Sequence, residues 1–411
     1  MKLQIDGDRL WGTLIEMGQV GRDGDGVNRL ALNDANKEGR DLFTGWLRDE
    51  GLEIQVDRIG NIFGVREGTD RDEPPVMVGS HLDTVREAGV FDGALGVLSG
   101  LEIVRLLNQE DVETRRAVAV AAFTNEEGAR FQPDMMGSMV FTGLLDAEKA
   151  WAASDDDGVT VKDELQRIGY LGHDELDAGH YLELHVEQGP VLHSEGVEVG
   201  VVEGVQGMAW WDGEYTGEAN HAGTTPLHLR RDALLAASEL CLRLRETAER
   251  LGEGSVATMG RLHPRPDIRN VVPGGAFFTV DFRQYKRELY EEGQETVAEL
   301  IRDVAERHGL EHSLTQTVDA KPVRFDPGMV DLVESKTKEL RLSYRVMHSG
   351  AGHDAQFMSH ICPTAMVFVP SIGGRSHCPE ERTLRADCVN GANVLLRCVL
   401  ELSTGFNRTS Q

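Results

Sequence analysis

Two short apolar runs, PVMVGS at 75–80 and AVAVAAFT at 117–124, constrain this chain more than anything else in it. Runs of that length without polar alternation are the mark of strands buried on both faces. Between them, 94–108 (ALGVLSGLEIVRLLN) carries apolar residues at helical spacing. A strand, a helix and a second buried strand imply an at least partly parallel sheet, so the spacing predicts an α/β fold with helices flanking a mixed sheet.

The texture changes near residue 208. Alternating segments at 209–217 and 276–283 read as half-exposed antiparallel strands, and 230–250 and 291–308 read as amphipathic helices. A β-α-β…β-α-β order suits a smaller open-faced α+β sandwich. Residues 328–340, 364–369 and 387–403 then resume the α/β pattern. The 411 residues exceed what one core fills, which is roughly 250–300. The expectation is a discontinuous catalytic domain, 1–207 and 328–411, interrupted by an inserted lid, 208–327. Residues 151–180 are polar and acidic, with Asp155-Asp156-Asp157-Gly158 in a loop that reads as a solvated turn.

Asp and Glu number 69 against 42 Lys and Arg, a formal net charge of -27. Such a chain lacks the basic footprint that nucleic acid or an anionic membrane surface selects. Only 8 of the basic residues are Lys. Many acids with few lysines suit a protein kept soluble in concentrated salt, where self-repulsion is screened; the alternative is an ordinary acidic enzyme from an Arg-rich proteome. No segment approaches the ~20 apolar residues of a membrane helix, and the N-terminal stretch lacks a signal-peptide core. Five cysteines, none before Cys241 and none in a CxxC pair, are not a disulfide framework, so the expectation is a reduced, cytoplasmic protein.

Chemistry-bearing residues gather where the apolar runs end. In GSHLDTV (79–85) the strand turns polar, and in open α/β sheets ligands collect at the carboxyl ends of strands. His81 and Asp83 lie two apart, so an extended backbone points both the same way, and a carboxylate beside an imidazole orients a metal-binding histidine. Asp92, in FDGALGV (91–97), reads in isolation first as a helix cap. In NEEGARF (125–131), Glu126 and Glu127 stand side by side, which is costly unless a cation or proton neutralises one. His185 in ELHVEQGPVL (183–192) and His377 in GGRSHCPEE (373–381) sit at further polar junctions. Three histidines, an aspartate and a glutamate, without thiolates, suit Zn, Mn, Co or Ni, and Asp92 could bridge two ions.

Together with NHAGTTP (220–226), RNVVPG (269–274) and SGAGHDA (349–355), these segments stand in an order, over almost the whole chain, that resembles the M20 metallopeptidase superfamily. The HVEQGP segment is similar to its amidase branch, which contains N-carbamoyl-L-amino acid hydrolases, β-ureidopropionases and allantoate amidohydrolases. The resemblance implies a discontinuous metallopeptidase-like catalytic domain with an inserted lid and dimerisation domain, and a homodimer. It implies two divalent ions bridged by Asp92, one held also by His81 and His185, the other by Glu127 and His377. Asp83 would orient His81, and Glu126 would be the general base.

From the inserted domain, His221 resembles the histidine that stabilises the tetrahedral oxyanion, Asn270 a substrate-holding residue, and Arg283 the arginine that grips the substrate carboxylate; a planar guanidinium suits that contact. Gly350, Ala351 and Gly352 would let the backbone approach the substrate closely. His353 and Asp354 resemble an accessory pair, and Gln188 would hold substrate or orient its loop. At the position where allantoate-cleaving relatives carry a glutamine, this chain has Met208, which cannot satisfy a second ureido group. The resemblance thus points to hydrolysis of an N-carbamoyl-L-amino acid, with allantoate as the alternative. An aminoacylase or dipeptidase fits His185 less well, and a non-catalytic scaffold would not need a complete ligand set.

Overall fold

The computed structural model describes residues 3–404. They divide into two compact units: residues up to Glu203 together with those from Phe325 onward, and the segment Gly204–Arg324. The division falls a few residues before the 208 and 327 read from the sequence, because hydropathy texture changes only once the alternating strand is under way.

The first unit is built on a sheet with the strand order Val199–Val205, Thr364–Val369, His180–Val186, Val76–His81, Val118–Phe123, Ile62–Arg66, Glu53–Val56. The four central strands are mutually parallel, and the outer ones pair antiparallel. Every residue of Val76–His81, Val118–Phe123 and Thr364–Val369 is buried, the two-sided burial that their unbroken apolar runs demand. The helices Ala94–Gln109 and Arg385–Thr404 pack on these strands and on each other. Because the central strands run together, their carboxyl ends deliver His81, Phe123 and Val186 to one edge of the sheet.

The polar stretch 151–180 includes regular structure. A helix, Val161–Ile168, forms there, with Thr160 as its cap and Val161, Leu165 and Ile168 buried. Three apolar side chains at helical spacing outweigh the polarity of the stretch. The Asp155 turn is as expected: its Oδ1 accepts from the backbone of Asp157 and Val159, and its Oδ2 lies 3.0 Å from Arg130 Nη2.

Two arginines are buried in this unit. Arg29, 1% exposed, donates to the carbonyls of Leu82, Met17 and Val20. Arg40 donates to Asn36 Oδ1, Gly60 O and Thr124 Oγ1. Burial pushes the Arg29 guanidinium down to about 10, opposed by the negative charge of Asp83, and Asp83 likewise supports the charge of Arg40. Both cations therefore stand behind the segment that carries His81 and Asp83.

The second unit has a four-stranded antiparallel sheet in the order Val256–Arg265, Gly275–Gln284, Gly207–Thr216, Glu311–Ala320. In chain order these are its second, third, first and fourth long strands, the β-α-β…β-α-β arrangement read from the sequence. The helices Ala233–Leu251 and Arg287–Arg307 cover one face through a separate core that includes Trp211, Tyr215, Phe278, Phe282, Leu240 and Ile301. The other face, carrying Met208, Trp210, Asp281 and Arg283, is partly open. All five cysteines are free thiols, and among the described residues no helix is long and apolar enough to cross a membrane.

Arg29 supplies the firmest test of this architecture. Arg29→Leu should lower stability by about 3 kcal/mol or more, since three buried carbonyls lose their donor. Urea unfolding followed by circular dichroism measures it, and an unchanged midpoint contradicts the role.

Candidate functional site

Five side chains from five separate segments meet at the carboxyl edge of the parallel strands. His81 ends its strand; its Nδ1 is 2.9 Å from the backbone oxygen of Asp83 and donates to it. His185, one residue from the end of its strand, places Nδ1 2.9 Å from the Val186 carbonyl. Each contact fixes the proton on Nδ1 and leaves the Nε2 lone pair facing the site, where the backbone N–H of Gly93 also reaches His185 Nε2, at 3.3 Å. Asp92 receives them: its Oδ1 is 3.2 Å from His185 Nε2 and 3.6 Å from His81 Nε2. Its Oδ2 is 3.4 Å from His377 Nε2, which is 3.3 Å from Glu127 Oε2. Two groups of metal-ligand geometry result, His81–Asp92–His185 and Asp92–Glu127–His377, and they share Asp92.

Asp92 is not a helix cap. Gly93 occupies that position, at φ +64°, and the Asp92 carboxylate points at the imidazoles instead. A Cβ on residue 93 would lie 2.4 Å from the His81 ring, so only glycine fits there. Asp83 also differs from expectation. Its carboxylate does not orient His81; its backbone oxygen does. The strand ends at His81, so the alternation that would align the two side chains no longer holds at Asp83. The Asp83 carboxylate instead accepts from the backbone N–H of Glu126 and of Glu127, each at 3.3 Å, and so fixes the turn from which both glutamates project.

Charge dominates this space. Burial alone would raise the Asp92 carboxyl, but His185, His377 and His81 hold it well below its usual range. Burial pushes Glu126 well up, with Asp354, Glu127 and Asp92 adding to the effect and His81 opposing it. Glu127 is pushed up to about 7 by burial and by Asp92, and His377 up to about 9, chiefly by Asp92. Asp92 Oδ1 and Glu127 Oε1 are buried yet accept no hydrogen bond. Nitrogen and carboxylate donors with unsatisfied lone pairs and surplus negative charge fit a pair of divalent cations, and no thiolate is among them. Glu126 stands beside these groups, its Oε2 3.4 Å from His81 Nε2.

Gln188 lies in the cluster itself, its Nε2 2.8 Å from Asp92 Oδ2 and 3.2 Å from His377 Nε2. Both Gln188 and His377 are held at positive φ, +57° and +55°, costing about 1–3 kcal/mol each, the kind of strain that collects at functional sites. Gly350 is not required by a close approach within the chain, because a Cβ there would meet open space; the tight position is Gly352, where it would lie 2.3 Å from Met135 Cε. Ala351 belongs to a turn built on Ser349, whose Oγ accepts from Ala351 N and lies 2.8 Å from His353 Nε2. His353 is buried against His185, ring centres 4.5 Å apart, and burial keeps it neutral.

Glu381 has no role in the sequence reading. It is 3% exposed; its Oε1 accepts from the backbone of Phe91 and Asp92, and its Oε2 is 2.8 Å from Ser376 Oγ. Ser376 Oγ is in turn 3.0 Å from Asp92 Oδ2. Glu381 thus ties the Asp92 loop to the His377 loop. The signal was its place four residues after His377 in GGRSHCPEE, where one of two adjacent glutamates is exposed and the other is not.

The second unit holds the remaining four residues in two pairs. His221 and Asn270 lie on a short ribbon in which His221 pairs with Val271 and Ala222 N donates to Asn270 O. Met208 and Arg283 face each other across neighbouring strands, and Arg283 Nη2 is 2.9 Å from Asp281 Oδ2.

Comparison with known proteins identifies the family. The description "Peptidase family M20/M25/M40" matches residues 77–401. An N-carbamoyl-L-amino-acid amidohydrolase of Rhizobium meliloti is 40% identical over 97% of both chains. An allantoate amidohydrolase of Escherichia coli is 34% identical over 92% of this chain and 93% of its own. A crystal structure of an amidase of the hydantoinase/carbamoylase family from Burkholderia multivorans superposes with a TM-score of 0.96 at 40% identity, covering 98% and 99% of the two chains. Fold and site together define a hydrolase that acts on amides. The chain belongs to the M20/M25/M40 family.

The sharing of Asp92 can be tested directly. Asp92→Asn should strip metal from both groups, whereas Glu127→Gln should weaken one of them by about 10-fold or more. Metal content after dialysis, read by inductively coupled plasma mass spectrometry, distinguishes them; equal retention by both variants contradicts a shared ligand.

Proposed function

We propose that this enzyme hydrolyses the ureido C–N bond of an N-carbamoyl-L-amino acid, releasing the amino acid, CO2 and ammonia. The observation that carries the reading is the pair of ligand groups sharing Asp92 with the Glu126 carboxylate beside them. When bound, two divalent ions of the Zn, Mn, Co or Ni type would acidify water and polarise the ureido carbonyl. His81, His185 and Asp92 would hold one, and Asp92, Glu127 and His377 the other. Glu126 takes a proton from the attacking water and delivers it to the departing nitrogen, for which a carboxyl raised by burial is suited. The carbamate left behind breaks down to CO2 and ammonia. Asp83 keeps Glu126 and Glu127 in their separate roles by fixing the backbone between them.

Substrate roles fall to the second unit. His221 donates to the carbonyl oxygen as it gains charge, Asn270 helps to hold it, and Arg283 grips the carboxylate; one preorganised donor is commonly worth ~3–4 kcal/mol of barrier. Met208 stands opposite Arg283 in register, so the group next to a gripped carboxylate meets a thioether rather than an amide. That favours an apolar or small side chain over allantoate, whose second ureido group would be left unpaired at a cost of ~1–3 kcal/mol. Gln188, in contact with Asp92 and His377, orients the cluster. The free cysteines suit a reducing, cytoplasmic setting.

A homodimer is part of the proposal. The Ala233–Leu251 helix presents Leu235 and Leu242, the latter 70% exposed, beside Val256–Arg265, an edge strand of its sheet. An edge strand flanked by exposed leucines is a template for pairing with a second copy. Leu242→Glu should yield a monomer in sedimentation velocity; an unchanged dimer contradicts this surface.

The activity is tested with metal-loaded protein and a panel of L- and D-N-carbamoyl amino acids, allantoate and N-acetyl amino acids, following ammonia and amine release. Turnover of the L-carbamoyl compounds is expected, and turnover of allantoate alone overturns the substrate assignment. Glu126→Gln should lower kcat by about 10²–10⁴-fold with metal content unchanged.

A further inference from the structure

His221 is exposed, and its ring is held by the turn that follows it. Its Nδ1 accepts from two backbone amides, those of Gly223 at 3.0 Å and Thr224 at 3.2 Å. Only a nitrogen with a lone pair can accept, so the neutral ring carries its proton on Nε2, the atom left pointing outward as a donor. The turn after His221, with both N–H groups aimed inward, locks that tautomer and fixes the orientation of the ring.

Two kinds of contact hold the turn. Thr225 closes it locally, its N and Oγ1 both donating to His221 O. Arg230 closes it from outside. Its Nε donates to Thr225 O at 3.0 Å and its Nη2 to Ala222 O at 2.6 Å, spanning both ends of the turn with one planar group. Arg230 is half-buried and, among the described residues, forms no ion pair with a carboxylate. In a chain with 69 acids, an arginine given over to two carbonyls of one turn has a specific task there. The geometry of a guanidinium, two donors fixed in one plane, matches two carbonyls several residues apart in a way a lysine ammonium cannot.

We infer that Arg230 is a positioning residue for catalysis: it straps the Ala222–Thr225 turn so that His221 presents Nε2–H. Its catalytic consequence rests on the proposed role of His221 as donor to the reacting carbonyl, while the strap itself does not. Loss of the strap leaves the ring free to rotate and exchange tautomers, and misplacement of a catalytic group by about 1 Å can cost about 10²-fold.

The test combines a spectroscopic and a kinetic readout on the full-length, metal-loaded protein. With ¹⁵N-labelled histidine, the His221 signals, assigned by their loss in His221→Gln, should show a lone-pair Nδ1 and a protonated Nε2. In Arg230→Lys both nitrogens should move towards the average of the two tautomers. kcat on the preferred N-carbamoyl amino acid should fall about 10–100-fold, KM should change little and the melting temperature should be retained. Adding Arg230→Lys to His221→Gln should cost nothing further in kcat. Unchanged His221 signals in Arg230→Lys overturn the strap, whatever the rate does. A changed tautomer with an unchanged kcat leaves the strap standing as structure and overturns its role in catalysis together with that of His221.

Discussion

Desolvation of negative charge is the constraint on which the first unit depends. Asp83, Asp92, Glu126 and Glu127 are withdrawn from water at one edge of a parallel sheet, with Glu183, Asp354 and Glu381 also buried. Burying an ion costs several kcal/mol unless it is paired or hydrogen-bonded. The chain meets that cost in layers. Arg29 and Arg40 stand behind Asp83, backbone N–H groups of residues 91, 92, 126 and 127 point at carboxylates, and three imidazoles surround Asp92. What these layers leave unsatisfied, Asp92 Oδ1 and Glu127 Oε1 among them, is what cations would satisfy.

Precision in the cluster comes from the backbone more than from side-chain packing. His81 and His185 are oriented by carbonyls within two residues of themselves, and Gly93 makes room for the His81 ring. His377 and Gln188 are held in the left-handed region. The same economy recurs in the second unit, where two amides of the adjoining turn set the tautomer of His221. In both units the imidazoles proposed to act are set by local main-chain geometry that longer-range contacts brace, through Glu381 in one and Arg230 in the other.

Much of this was legible in the sequence, and the legible part has a common physical origin. The buried strands announce themselves because burial on both faces removes polar residues, and the ligands stand out because a run of valines and alanines ends abruptly in His81 or in Glu126 and Glu127. Asp92 was ambiguous because an aspartate before a helix serves equally as cap or ligand, and only the three-dimensional approach of His185 and His377 decides. The function of the Asp83 carboxylate was misread because strand alternation was carried two residues past the strand's end. Arg29, Arg40 and Glu381 left no periodic trace: their partners are carbonyls and amides far away in sequence, as with Glu381 and Phe91, and no spacing rule connects them. The helix at Val161–Ile168 left little trace because its three buried apolar residues stand in a polar stretch.

The interruption of the first unit has a consequence for how the molecule is made. Synthesis runs from the N-terminus, and domains fold largely as units while the chain emerges. Gly204–Arg324 leaves the ribosome as one continuous piece with its own core, so it can fold on emergence. The unit around it cannot. Thr364–Val369, a central strand, and the Arg385–Thr404 helix that covers it are among the last segments made. His81 and His185 are therefore made long before His377, and the Asp92–Glu127–His377 group is completed only when the chain is nearly finished. Order of translation thereby imposes an order of assembly on two ligand groups that look equivalent in the finished structure.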